Sequence, residues 1–370
     1  MKKILFLIHD LGQGGAEKVL VNLVNNMDRT KFDITVMALF GGGVNEQFLK
    51  KDIHLITCHK RAFPGNSHLM KLFTPSQLYR HHIKEHYDIV ISYLEGPSAR
   101  IVSGCPHADT KIVSWIHCTM DTSQKAARSF RSFAEAQRCY SRFERLVFVS
   151  EGVRDAFRSA CPVTVPCDVL YNTNETGKIL AASREPVDNG VFTAGEIRLC
   201  GMGKLTWNKG FDRLLRIHKK LRADGHPVHT YILGEGEERE NLTQYITENG
   251  IADSVTLLGY RTNPYQFVRN CDLYVCTSHT EGFSTAATEA LIVGTPVCTV
   301  EVSGMKEMLG ENNEWGIVTE NDDEALYEGI KRLMDDPALL SHYREQALRR
   351  GGTFHTENTV GAVVEMLENL

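Results

Sequence analysis

HTEGFSTAATEALIVGTP, residues 279–296, follows a short apolar run, DLYVC at 272–276, and reads as a strand, a loop and a compact helix. Ser284 or Thr285 suits the N-cap, where a hydroxyl takes a backbone N–H of the first turn. Ala286, Ala287, Ala290 and Leu291 favour helix over roughly 284–293, Gly294 suits the position past its end, and Pro296 cannot continue it. A helix start offers unpaired N–H groups and the positive end of the helix dipole to an anion. Glu281 precedes that start and Glu289 lies eight residues on. Carboxylates accept hydrogen bonds from sugar hydroxyls, while N–H groups and cations hold phosphate. The stretch therefore suits a ligand with a phosphate in the middle and hydroxyls on both sides, which is the layout of a nucleotide-sugar. Two glutamates around a helix are also common as solvated charges, so the rest of the chain has to decide.

Strand and helix alternate through the rest of the chain. Strands are expected near 4–8, 34–39, 54–57, 88–93, 111–116, 146–149 and 168–171, with helices near 16–26, 76–86 and 123–143. Residues 174–196 break the rhythm: they are polar, with Pro186, Gly190 and Gly195. Alternation then restarts, with strands near 197–202, 229–233, 255–258, 273–276, 297–300 and 316–318. The fold class is α/β: two doubly wound, Rossmann-like domains facing one another, as a chain of 370 residues is too long for one ordinary core. We expect a first domain over 1–180, a linker over 181–195 and a second domain over 196–370, with the final helix able to pack back on the first.

Composition is that of a globular protein, 42% apolar and 24% charged. The apolar run in MKKILFLIH is too short for a signal peptide and reads as a first buried strand, and no run approaches a membrane span. Ten scattered cysteines without C-x-x-C spacing read as reduced core thiols in a cytosolic protein. Charge is uneven. Residues 1–180 carry +6 and residues 181–370 carry −11, which points to an anionic partner for the first half, either a membrane surface or a phosphorylated substrate.

Ligands of such sheets bind beyond the carboxyl ends of the strands, so residues just after strands are the informative ones. DLGQGGAE at 10–17 is a glycine-rich turn into a helix, where Gly14 and Gly15 allow close approach of backbone N–H groups to a ligand. It lacks the last glycine of the dinucleotide fingerprint, and no acidic residue closes the second strand, so a nicotinamide cofactor is not expected. His117 follows the strand at 111–116 and should face the same crevice. In GMGKLTWNKGFD at 201–212, Lys204 and Lys209 could clamp a diphosphate as point charges. Gly234, in GEGEE at 234–238, opens another turn at a helix start, and Arg261 follows the next strand.

With these pieces together the sequence resembles the large retaining glycosyltransferase family four. GGAE at 14–17, GKLTWNKGFD at 203–212, GEGEERENL at 234–242 and EGFSTAATEALIVGTPV at 281–297 carry the resemblance, the last being the family's E-x7-E signature. It implies the GT-B fold, two Rossmann-like domains with the active site in the cleft between them. It implies that Glu281 contacts hydroxyls of the donor sugar and Glu289 the ribose, while backbone around Gly282, Phe283, Ser284 and Thr285 holds the diphosphate. Lys204 and Lys209 stand where the family places its cationic pair, although the first is commonly arginine. Gly14, Gly15 and Gly234 would line the donor site, His117 would lie near the transferred sugar, and Arg261 near the base.

No D-x-D occurs, so no metal is expected and no cofactor beyond the nucleotide-sugar substrate. The expected reaction is transfer of a hexose or N-acetylhexosamine, from a UDP-sugar by family habit, to a lipid-linked or oligosaccharide acceptor. Glu95, after a strand, is a candidate acceptor contact. An anionic membrane surface is a candidate partner through Lys125, Arg128, Arg131, Arg138 and Arg142, interleaved with aromatic residues; the other reading of that segment is a core-packed helix with a solvated face. No nucleic-acid partner is expected. The expected location is cytoplasmic, at the inner face of the plasma membrane. The alternatives are a non-catalytic two-domain sugar-binding protein and another sugar-nucleotide enzyme of this fold, such as an epimerase.

Overall fold

Five consecutive residues, Ile4 to Ile8, have no exposed surface in the computed structural model, which describes residues 1–61, 69–188 and 190–370. A strand without alternation of burial is covered on both faces, as in a parallel sheet flanked by helices. That strand, β1 (Lys2–Ile8), belongs to a seven-stranded sheet with β2 (Phe32–Phe40), β3 (His54–His59), β4 (Ile89–Ser92), β5 (Lys111–Ile116), β6 (Arg145–Phe148) and β7 (Cys167–Val169). The order is β3-β2-β1-β4-β5-β6-β7 and every pairing is parallel, with Ile4 opposite Ile34 on one side and Ile89 on the other. Chain order therefore reverses between β1 and β4.

A second sheet is built the same way from β8 (Ile197–Met202), β9 (Val228–Leu233), β10 (Val255–Gly259), β11 (Leu273–Cys276), β12 (Val297–Val300) and β13 (Ile317–Thr319), in the order β10-β9-β8-β11-β12-β13. Here the reversal lies between β8 and β11. Its core joins Leu199, Ile232, Val275 and Val300 of the strands to Leu214, Leu215 and Ile330 of the helices. All ten cysteines are free thiols, seven of them buried.

The chain passes from the first unit to the second after Asn174, and residues 356–370 return to the first. The expected boundaries at 180 and 196 are corrected by this. The helix Thr176–Ala182 buries Ile179 within the second unit, and Asn263 donates to the Ala182 carbonyl at 2.9 Å and to Glu185 at 2.8 Å. Polar composition suggested a linker, but these side chains bond their own unit; residue 189 of that span lies outside the described residues. The last helix, Thr356–Glu368, is tied to the first unit by Lys2, which donates to the Leu367 carbonyl, and by a Lys31–Glu368 ion pair at 2.7 Å.

The basic, aromatic segment at 123–143 is also corrected. It is two short helices, Ser123–Ala127 and Phe133–Tyr140, capped by Thr122 and Ser132. Phe130, Tyr140 and Phe143 are in the core, so no aromatic-and-basic face lies along one helix. Two of its exposed arginines bond backbone of the same unit: Arg142 donates to the Ser103 and Cys105 carbonyls, and Arg131 to those of Lys71 and Leu72. Lys125 pairs with Asp121 instead.

Arg100, 1% exposed, is the anchor beneath this region. It donates to Glu135 at 2.8 Å and to the carbonyls of Met70 and Phe73 at 2.8 and 2.7 Å. Burial opposes charge on Glu135, but Arg100 and the Arg131 backbone N–H outweigh it and hold the carboxyl below its usual value. Removing one member of a buried pair leaves the other uncompensated. Arg100→Met is therefore expected to lower unfolding stability by about 3–5 kcal/mol. Urea unfolding of Arg100→Met, Glu135→Gln and the double variant checks this, with the double costing less than the sum of the singles.

Candidate functional site

Adjacent parallel strands whose connections run to opposite sides open a crevice at their carboxyl ends. In the second unit those strands are β8 and β11, and the loops that follow them are laced together. Thr277 donates to the Lys209 carbonyl at 2.8 Å, the His279 N–H to the Asn208 carbonyl at 2.8 Å, and Asn208 to the Thr280 carbonyl at 3.0 Å. Trp207 stacks on His279 with ring centroids 4.5 Å apart. Gly210 makes this approach possible: φ is 62°, and a Cβ there would stand 2.2 Å from the Thr277 carbonyl oxygen. At the neighbouring strand end, Gly234 has φ 142°, and a Cβ would fall 1.8 Å from the Gly203 oxygen. Its role in this structure is packing of the β8 and β9 ends.

The lacing carries two charged side chains into one place. Lys209 Nζ donates to Glu281 Oε1 at 2.6 Å, and Ser278 Oγ donates to the same oxygen at 2.7 Å. The Glu281 side chain is 10% exposed and that of Lys209 29%. A small cavity beside the pair is lined by Met202, Lys209, Tyr274, Ser278, Glu281 and Ser284.

Four residues beyond Glu281 the helix Thr285–Val293 begins. Ser284 is its N-cap, accepting from the Ala287 N–H at 3.3 Å, and Gly294 ends it with φ 82°. The first-turn N–H groups of Thr285 and Ala286 have no intrahelical acceptor, so they are donors of the kind that can hold an anion. Gly282 and Phe283 join the pair to the helix, with Phe283 5% exposed and edge-on to Phe354. Glu289 is 4% exposed and accepts from the Tyr265 hydroxyl at 3.1 Å.

Of the residues singled out from the sequence, the structure thus brings Lys209, Glu281, Ser284 and Thr285 together. Glu289 lies on the same helix. Lys204 stands apart, exposed and without an ion pair among the described residues. Arg261 is also apart, beyond the sheet-edge strand β10, with its guanidinium 5.4 Å from the Phe267 ring centre. Ser278 and Tyr265 were missed. Ser278 sits two residues past a strand end, a position that could have flagged it; Tyr265 follows Asn263-Pro264 at a short helix start and carries no local signal of its contact with Glu289.

In the first unit the equivalent crevice lies at the ends of β1 and β4. Gly14 is the N-cap of the helix Gly15–Asn26 and offers no side chain there. Glu17, in its first turn, is held above its usual carboxyl value by burial and by the nearby Asp10 and Glu95 carboxylates, against its own backbone N–H and His9. Glu95 accepts from the His117 N–H at 2.9 Å, so it positions the backbone of the histidine that follows β5. His117 is 8% exposed, its ring lies 4.9 Å from the Tyr93 ring, and its Nε2 has no hydrogen-bond partner among the described residues.

The family described as Glycosyltransferase Family 4 matches residues 13–176, and Glycosyl transferases group 1 matches 188–350. The chain is 24% identical over 361 residues, 96% of each protein, to the Campylobacter jejuni N-acetylgalactosamine-N,N'-diacetylbacillosaminyl-diphospho-undecaprenol 4-alpha-N-acetylgalactosaminyltransferase. It is 22% identical over 365 residues to the amylovoran biosynthesis glycosyltransferase AmsD of Erwinia amylovora, covering 96% of the chain and 97% of AmsD. Among solved structures, Anabaena Alr3699/HepE in complex with UDP and glucose superposes with a TM-score of 0.80 at 19% identity, over the full length of both chains. That likeness shows the fold: two Rossmann-like domains of the GT-B type.

Burial pushes the His117 imidazole down to about 3, from an ordinary 6.5. The folded protein therefore keeps it neutral, while the unfolded chain takes up a proton below 6.5. Stability from this group is intact above pH 6.5 and is lost as pH falls toward 3. Melting temperature measured against pH should fall less steeply on the acid side in His117→Asn than in the parent. His218, lowered to about 4 by burial, leaves a residual slope in both.

Proposed function

The chain belongs to the glycosyltransferases, with a family 4 first half and a group 1 second half, and on that premise we propose a retaining, metal-independent hexosyltransferase. Its donor in this reading is a UDP-linked hexose or N-acetylhexosamine, and its acceptor a lipid-linked glycan of a bacterial surface polysaccharide. The relatives named above act on a diphospho-undecaprenol glycan and in amylovoran synthesis, and HepE was crystallised with UDP and glucose. Neither a sugar-binding protein nor an epimerase is favoured by them.

The observation that carries the proposal is the Lys209–Glu281–Ser278 cluster beside the Ser284-capped helix start. A donor diphosphate on the helix N–H groups would lie next to the Lys209 ammonium, and the sugar next to the Glu281 carboxylate. Breaking the bond from the anomeric carbon to the diphosphate leaves the electron pair on a phosphate oxygen, and Lys209 and the helix dipole stabilise that charge. The acceptor hydroxyl adds on the same face and gives its proton to the departing phosphate. No second carboxylate is needed as a nucleophile. Glu281 fixes the sugar hydroxyls, and Glu289 with Tyr265 offers a polar pair for the ribose. The resemblance assigns Gly14, Gly15, His117, Lys204 and Arg261 to donor contacts as well, and none of them belongs to the Lys209–Glu281–Ser278 cluster. A lipid-borne acceptor places the working enzyme at the inner face of the plasma membrane.

Thermal stabilisation by UDP, GDP and ADP, with and without EDTA, tests the donor and the metal together. At a hundredfold excess over Kd, a ligand that binds only the folded chain adds about 2.7 kcal/mol, a shift of a few degrees. UDP is expected to give it and EDTA to leave it unchanged; a shift with another nucleotide alone overturns the donor, and no shift with any overturns the site. Lys209→Ala is expected to lower kcat for UDP release about 100-fold or more, because a charge acting on the leaving group is removed. Unchanged turnover would remove Lys209 from the mechanism.

A further inference from the structure

His86 and Asp109 face each other from the two loops that enter β4 and β5, with His86 Nε2 3.1 Å from Asp109 Oδ2. A surface pair of this kind contributes little to stability by itself. A third group changes its meaning. His107 reaches the same spot from the loop that carries Asp109, its ring centre 5.3 Å from that of His86. One ligand atom from each of the three side chains lies within 4.8 Å of the others. Four-coordinate zinc, with bonds of about 2.0–2.2 Å, needs donors about 3.3 Å apart. The His86–Asp109 pair already has that spacing, and small rotations of the exposed side chains supply the rest. The backbone beneath them is fixed. Thr110 Oγ1 donates to the Tyr87 carbonyl at 2.8 Å, the Lys111 N–H to the Asp88 carbonyl at 2.9 Å, and Cys105 Sγ to the His107 carbonyl. Tyr87 and Thr110, next in the chain to His86 and Asp109, are buried.

Two imidazoles and one carboxylate suit zinc and its transition-metal neighbours, whereas magnesium and calcium take sets of oxygen ligands. We propose that His86, His107 and Asp109 bind a divalent cation of the zinc class, with water completing its shell. The site stands at the amino ends of β4 and β5, while Glu95 and His117 follow the carboxyl ends of the same two strands. The ion therefore takes no part in sugar transfer. It ties together the loops that enter two neighbouring strands, and it favours the folded state because an unfolded chain does not hold the three donors in one place. The site does not depend on the reading of the donor. EDTA should lower the melting temperature of the zinc-loaded chain and leave the increment from UDP as it is.

Calorimetric titration of the untagged, EDTA-stripped full chain with zinc chloride tests this, with magnesium chloride as the control. One zinc per chain should bind and raise the melting temperature, and magnesium should do neither. His86→Ala, His107→Ala and Asp109→Ala should each weaken zinc at least about tenfold. Their metal-free melting temperatures should match the parent's, because all three side chains are exposed. His81→Ala, in the helix Pro75–His82, should bind zinc as the parent does. Cobalt in place of zinc gives an independent reading on the parent chain: its spectrum should lack a thiolate charge-transfer band, since no cysteine is a ligand. Zinc affinity unchanged in the three variants overturns the proposal. So does a thiolate band, which would put the ion on a cysteine such as the exposed Cys118. Half an ion per chain also overturns it, because the ion would then bridge two copies.

Discussion

The bond from the Lys209 ammonium to Glu281 depends on two loops that are 72 residues apart in sequence and follow adjacent strands. An exposed ion pair would contribute little to stability. Here its value is positional, because each partner is fixed by something else. Lys209 follows from Gly210, whose left-handed backbone lets the chain pass against Thr277, and Glu281 is held by Ser278 as well. The carboxylate and ammonium are then aligned with a helix start whose own cap is already satisfied by Ser284. The charged pair and the Ser278 hydroxyl line one small cavity together with Ser284, the cap of that helix.

The first unit solves a different problem. Its crevice gathers Asp10, Glu17 and Glu95 near a histidine kept neutral by burial, a set suited to hydroxyls. The outer loop at 69–73 is held by Arg100 and Arg131. Two arginines there perform the work of a hydrogen-bonded turn, each fork taking two carbonyls, and Glu135 balances the charge that this buries. Charge counts over the sequence register such arginines as surface basicity. In the folded chain Arg100 is buried and paired with Glu135, while Arg131 and Arg142 bond backbone carbonyls and keep their charge at the surface.

The alternation of apolar runs and amphipathic stretches gave the class of both sheets, and strand ends gave the places to look for ligand groups. Ser284, Gly294 and the helix between them were legible because cap, propensity and stop signals are local. The segment at 123–143 was misread because its apolar residues recur at helical spacing through a turn, and the N-cap signal of Ser132 was overlooked. The unit boundary was misplaced for a related reason. Polar composition at 174–196 says that a segment is exposed; it does not say which unit its helix Thr176–Ala182 packs on.

By itself the sequence determined two doubly wound sheets, where their strands end, and the helix start with its flanking glutamates, since each is written in residues within a turn or two of one another. Only the tertiary structure decided which charges meet. Lys209 and Lys204 are five residues apart and alike on paper, yet one reaches Glu281 and the other faces solvent, because strand order places β11 beside β8 and Gly210 lets Lys209's loop close on it. Pairings across 72 residues are set by sheet order and close backbone approach, and neither has a local signature.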